Sequence, residues 1–226
     1  MVAAALMTAP SPETGARKSG ATRGRILDAA ARTFRAKGYA GTTLNDIAAA
    51  AGMQAGSIYY HFASKEELLG EVLRIGIGRV FDAVRQSAAA LAPDAPFEQR
   101  LCAAIGSHLA MLLKHGDYSS ADIRIFGMVP DPVRRVHLRR RQAYGAWWRQ
   151  LLAEGRERGA IRADLNPSLV RMLLLGAMNW STEWYKPARG SIDAMAKTLC
   201  TLTLEGLLPR IPDLAPAGRG RRFRAG

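Results

Sequence analysis

Two groups of side chains in this sequence have types and spacing suited to chemistry, and both point to binding more than to catalysis. The first is the stretch Gln54-Ala-Gly-Ser-Ile-Tyr-Tyr-His61. Ile58 suits a core, and the rest are small or hydrogen-bonding groups, a surface that buries little and can approach a nucleic-acid groove closely. The second lies between Val133 and Leu151. At 100° per residue, Val136, His137, Arg140, Tyr144, Trp147, Trp148 and Leu151 share one face there. Arg140 and His137 therefore point along an apolar stripe, whereas Arg134, Arg135, Arg139 and Arg141 spread over the flank and back. Cations on an inward face need partners, either an internal acid, for which Glu183 is placed, or an anionic ligand. His108, Arg140, Trp147, Asn179 and Trp184 are the candidate lining of such a pocket, although stripes of this kind also form ordinary core. A rival reading, an enzyme with His108 as base or Cys102 as nucleophile, finds no glycine elbow, metal pair or His–carboxylate spacing in support.

The charge points the same way. Lys and Arg number 32 against 19 Asp and Glu, a net +13 over 226 residues, so a polyanion is the first partner to consider. Residues 1–65 carry 8 basic and 3 acidic groups, residues 66–208 carry 19 and 15, and residues 209–226 carry 5 and 1. Both ends are thus basic and the middle is nearly balanced. A sequence-indifferent binder driven by charge alone is a second rival reading. With 48% hydrophobic residues the chain can form a core without staples. Cys102 and Cys200 match neither a disulfide framework nor a zinc cluster, so thiols in a reducing cytoplasm are expected, with no metal or cofactor. No apolar run reaches the ~18 residues of a membrane span, and Met1 to Ala9 lacks the basic start of an export signal. No membrane partner is expected.

The elements that must position these residues read as helices throughout, with no period-two alternation. Pro- and Gly-rich composition predicts disorder in an arm, 1–20, and in a basic tail, 209–226. Between them, residues 21–66 form a small module and residues 67–208 a larger body. The first helix is predicted over Arg23 to Lys37, stopping at Gly38. Thr43 and Asp46 form a capping pair that opens a second, two-turn helix ending at Gly52. A third spans Ala55 to His61. Ser64 and Glu67 form another capping box, opening a long fourth helix over Lys65 to Ala89. Two short helices joined by a tight glycine-bearing turn are the helix-turn-helix arrangement, whose second helix lies in the major groove. Five further helices follow: one from Phe97, one over Ser119 to Phe126, then Asp131 to Arg158, Pro167 to Tyr185 and Ile192 to Leu207. The fold class is all-α, about nine helices.

Arg25-Ile-Leu-Asp-Ala-Ala, Phe34, Gly38-Tyr-Ala-Gly-Thr-Thr-Leu-Asn-Asp-Ile-Ala-Ala-Ala-Ala-Gly52, Gly56-Ser-Ile-Tyr-Tyr-His-Phe62 and Ser64-Lys-Glu-Glu-Leu68 together resemble the DNA-binding domain of TetR-type transcriptional regulators. The resemblance implies a homodimer of helical subunits, each with a three-helix DNA-reading domain and a ligand-binding body, usually acting as a repressor and less often as an activator. It places Thr43 on a phosphate. It puts Gln54, Ala55, Gly56 and Ser57 where side chains reach base edges; an adenine suits Gln54 and a thymine methyl suits Ala55. It sets Tyr59, Tyr60 and His61 against phosphates, with Phe62 in the small core; on the alternative reading, in which one tyrosine is core, Tyr59 is the more buried. It gives Lys65 a phosphate as well. Ile161 to Pro167 and Gly176 to Pro187 resemble TetR-type regulators of lipid, steroid or aromatic-acid degradation, several of which respond to CoA thioesters. The implied partners are double-stranded DNA with a palindromic operator, an acyl-CoA or organic-acid effector, and a second copy of the chain docked through helices eight and nine.

Overall fold

The computed structural model describes residues 12–205 apart from 115 and 163, and side chains from residue 19 onward. The tail expected over 209–226 and the arm up to residue 11 lie outside the described residues. Nine α-helices are present among the described residues: α1 (Pro12–Lys37), α2 (Leu44–Ala51), α3 (Ala55–Tyr59), α4 (Lys65–Ala89), α5 (Phe97–Leu113), α6 (Asp117–Ile125), α7 (Asp131–Glu157), α8 (Pro167–Trp184) and α9 (Ile192–Glu205). There is no strand among them.

Local signals account for most boundaries. Gly38 (φ 71°) and Gly52 (φ 66°) adopt the left-handed conformation that closes α1 and α2. The Gly52 N–H reaches the Ala48 and Ala49 carbonyls, satisfying the last turn of α2. Thr43 and Ser64 cap α2 and α4 through their hydroxyls. One boundary differs from the expectation. α1 begins at Pro12, inside the segment whose composition predicted a flexible arm. Proline suits a helix start.

The molecule has two cores, and α4 runs through both. The first gathers Ile26 and Phe34 from α1, Ile47 from α2, Ile58 from α3, Phe62, and Leu68 to Leu73 from α4. Tyr118, Ala121 and Ile125 of α6 and Val129 belong to it too, so the body packs directly against the reading head. The second gathers Ile77 to Val84 of α4 with α5, α7, α8 and α9 around the fully buried Trp148. Large side chains buried in this way contribute roughly 1.5–3 kcal/mol each. Gly76, between the two halves of α4, lets α6 come close: a Cβ there would sit 2.7 Å from the Tyr118 carbonyl oxygen.

Cys102 of α5 and Cys200 of α9 are joined as a disulfide with Cα atoms 5.5 Å apart, contrary to the expectation of separate thiols. A sequence separation of 98 hid a contact made by the packing of α5 on α9. No helix of the described residues is long and apolar enough to cross a membrane.

Candidate functional site

The reading face is built on a rigid base. Thr43 donates its hydroxyl to Asp46 Oδ2 at 2.7 Å and accepts the Asp46 N–H at 3.1 Å, while Lys37 holds Asp46 Oδ1 at 2.6 Å. The Lys37 and Thr43 hydrogen bonds hold the Asp46 carboxyl well below the usual carboxylate range. Arg25 Nη2 donates to the Ala51 carbonyl at 2.8 Å, and Arg23 lies over the Phe62 ring while pairing with Glu71 at 3.2 Å. Hydrogen bonds from Arg74 and, secondarily, Arg23 hold the Glu71 carboxyl down at about 2.

On that base the short α3 faces outward. Gln54 is its exposed N-cap and makes no side-chain capping bond, which leaves the amide available to a partner. Ala55 is half-buried, and Gly56 and Ser57 are exposed. A Cβ on Gly56 would meet nothing within 4 Å, so nothing in the protein itself calls for a glycine here. Ile58 and Phe62 are buried as expected. Tyr59 is not: it is 61% exposed and Tyr60 84%, so both rings stand off the protein, because the five-residue α3 turns only Ile58 into the core. Tyr60 meets His61 edge to face at 5.2 Å.

Lys65 has internal partners. Its Nζ donates to the Tyr39 carbonyl at 3.1 Å and the Thr42 carbonyl at 2.9 Å, and sits 4.1 Å from the centre of the Tyr39 ring. The residue ties the start of α4 to the turn before α2. Tyr39 in turn donates to Glu66; burial first, then that carboxylate, pushes the phenol up to about 12.

In the body, a cavity of about 410 Å³ lies among α4, α5, α6, α7 and α8. Ile77, Val80, Leu112 and Leu175 form apolar walls, and His108 and Asn179 face it as expected. His108 Nε2 lies 3.2 Å from Asn179 Oδ1, and Nδ1 lies 2.6 Å from the Tyr144 hydroxyl. The amide oxygen can only accept, so Nε2 carries the proton and Nδ1 accepts from Tyr144. Burial brings His108 down to about 4 and pushes Tyr144 up. Both are therefore neutral at ordinary pH.

The cations of this cavity are Arg141, Arg149 and Arg171. Arg140 is exposed and lies in a separate groove with Glu66, Val133 and Val136, beside the start of α4. Trp147 stacks edge-on against Trp148 at 5.5 Å and does not line the cavity; Trp184 is 41% exposed in the groove between α8 and α9. The internal acid is Asp122 of α6, which lies at the cavity wall held by buried His137 and by Arg141 Nη1 at 3.4 Å. Glu183 instead pairs with Arg124 at 3.3 Å. A signal for the right arginines was present: Arg141, Gly145 and Arg149 repeat every fourth residue. A Cβ on Gly145 would sit 2.7 Å from Arg171 Nη1, so the glycine makes room for that guanidinium. Arg171 Nε is buried and has no hydrogen-bond partner.

Residues 26–72 match the model of the tetR family of bacterial regulatory proteins, and residues 94–207 match the tetracyclin repressor-like C-terminal domain. The chain belongs to the TetR family. Similar to this TetR-family chain is the HTH-type transcriptional repressor KstR2 of Rhodococcus jostii (strain RHA1), 29% identical over 203 residues, which are 89% of this chain and 98% of the relative. The solved structure of the ketosteroid transcriptional regulator KstR2 of Mycobacterium tuberculosis has a TM-score of 0.70 at 28% identity, covering 81% of this chain and 93% of that one. AibR, solved in complex with isovaleryl coenzyme A and operator DNA, shares the fold with a TM-score of 0.74 at 22% identity over 81% of this chain and 98% of that one. This TetR-family protein is a DNA-binding transcriptional regulator.

Proposed function

We propose that this TetR-family protein is a ligand-responsive repressor, working in the cytoplasm as a homodimer on a palindromic operator, whose effector is an apolar carboxylic acid or its CoA thioester. The observation that carries the effector class is the body cavity: aliphatic walls, a neutral His108–Tyr144–Asn179 set, and the guanidinium groups of Arg141, Arg149 and Arg171 at its edge. An apolar acyl group fits the walls, and a carboxylate or phosphate fits the arginines, whose planar forks suit both. Such a chemistry accords with a repressor relative that is a ketosteroid regulator.

The homodimer reading rests on α8. Leu169, Met172, Leu173 and Trp180 are 59–75% exposed on one helix, and Leu202 of α9 is 42% exposed. A helix apolar on two sides is covered by its own subunit on one and by a second copy on the other. Two-fold symmetry then sets two α3 helices on successive major grooves. Gln54, Ala55, Gly56 and Ser57 read bases, while Thr43, Tyr59, Tyr60 and His61 meet phosphates. Lys65 positions α4 against the head and has one remaining N–H for a phosphate.

Control follows from the two shared cores. α4 and α6 each touch both the cavity and the reading head, so an effector that binds better to one arrangement of these helices shifts the spacing of the heads. Calorimetry with octanoyl-CoA, octanoate and a steroid acid tests the class. Binding that Arg149→Gln weakens supports it; no heat with any of the three rejects it.

A further inference from the structure

A second cleft, of about 460 Å³, lies across Leu112 from the effector cavity, where α1 of the reading head meets α6 and the ends of α5 and α8. Arg32 and Arg35 of α1, Arg79 of α4 and Lys114 at the end of α5 line it. Two carboxylates are present, and both are engaged. Asp28 accepts the Tyr118 hydroxyl at 2.7 Å, and Asp117 pairs with Arg35 at 2.6 Å. Arg79 rests 4.6 Å over the Tyr118 ring. Among the described residues, Arg32, Arg79 and Lys114 form no ion pair. The cleft lining thus carries four cations against two carboxylates, Asp28 and Asp117, and of these only Arg35 and Asp117 pair with each other, which leaves a net positive hollow that favours an anion.

Two further observations point to the same occupant. Ser120 is only 6% exposed and brings its hydroxyl to the cleft lining. α6 also starts at this cleft, with Gly116 as an N-cap that offers no side chain to its first-turn amides. First-turn amides, a hydroxyl and guanidinium groups together are the donor set that phosphate oxygens take.

We infer that this cleft is a binding site for a phosphate-bearing group, the diphosphate of a nucleotide-containing ligand, seated between the reading head and the body. Two sources share that chemistry: the nucleotide end of a CoA thioester whose acyl end fills the neighbouring cavity, and a free nucleotide. The first source rests on the effector class proposed above; the site itself does not. An occupant draws Arg35 from Asp117 and links α1 to α6, so it acts on the joint that sets the head.

The test uses the full chain, titrated calorimetrically with inorganic diphosphate, ADP, CoA, octanoyl-CoA and octanoate. Arg32→Gln/Lys114→Gln alters two exposed side chains without packing roles and is checked for an unchanged melting temperature. The expected result is ADP and diphosphate binding that this variant weakens roughly tenfold or more, while Arg149→Gln leaves it unchanged. If the CoA thioester is the source, octanoyl-CoA displaces ADP and is weakened by the same variant, whereas octanoate is not. If a free nucleotide is the source, ADP and octanoyl-CoA bind together, one of each per chain. Equal affinity of wild type and variant for diphosphate, ADP and octanoyl-CoA overturns the site. Binding of ADP without any binding of octanoyl-CoA or octanoate rejects the effector class and leaves the cleft standing.

Discussion

Replacing Lys65 by Met separates two roles that the same side chain can have. In the structure its ammonium donates to two main-chain carbonyls, at 2.9 and 3.1 Å, and lies against the Tyr39 ring at 4.1 Å. A hydrogen bond to a charged group contributes about 1.5–3 kcal/mol, and a half-exposed cation–π contact about 0.5–1 kcal/mol. The side chain is only half-buried and water replaces part of what is lost, so the sum is discounted to roughly 2–3 kcal/mol. For a chain of this size that is a fall of about 5–10 °C in Tm. Urea titration and a thermal melt measure it, with DNA titrations at several salt concentrations alongside. The reasoning is refuted if Lys65→Met melts with the wild type while the salt slope of DNA binding drops by about one. That outcome assigns the charge to a phosphate and makes its carbonyl contacts incidental.

Three other outcomes follow from the same geometry. Gln54→Ala leaves the fold intact and changes which operator sequences are preferred, by about 1–3 kcal/mol at one base position, as footprinting on a randomised operator shows. His108 is held at about 4 against an ordinary 6.5, so the unfolded chain takes up a proton that the folded chain refuses. Its contribution is complete above pH 6.5 and is lost as pH falls toward 4, on the order of 3 kcal/mol, a slope that denaturant titrations find in the wild type and not in His108→Gln. Leu173 is 75% exposed on α8; Leu173→Glu places a charge in the proposed dimer face and yields monomers in sedimentation velocity, whereas an unchanged dimer moves the interface elsewhere.

What the sequence disclosed was local, and what it concealed depended on packing between distant elements. Thr43 with Asp46, Ser64 with Glu67, Gly38 and Gly52 carry their signals within four residues, so α2, α4 and the turns between them fall where expected. Ile58 and Phe62 follow from the same short range. The pocket helix shows the limit. An axis drawn through the α7 stripe put Arg140 inside, but its neighbour Arg141 takes that place, one residue and 100° away. The first turns of α7 lie against α4 near the head and the later turns against the cavity, so no single axis describes both. Asp122 was missed because its role comes from His137 and Arg141 across a helix pair. The disulfide between Cys102 and Cys200 and the close packing of α6 against α1 have no local signature either. Tyr59 was misplaced for want of space: α3 has five residues and buries one large side chain.

The central claim is that a ligand in the body controls DNA binding by the head. Its most direct test is the affinity of the full chain for the intergenic DNA beside its own gene, at one fixed salt concentration, with and without saturating octanoyl-CoA. The account predicts weaker DNA binding with the ligand, by the same factor by which DNA weakens the ligand, and loss of that response in Arg149→Gln/Arg171→Gln. Identical DNA affinity with and without a ligand shown to be bound would contradict it.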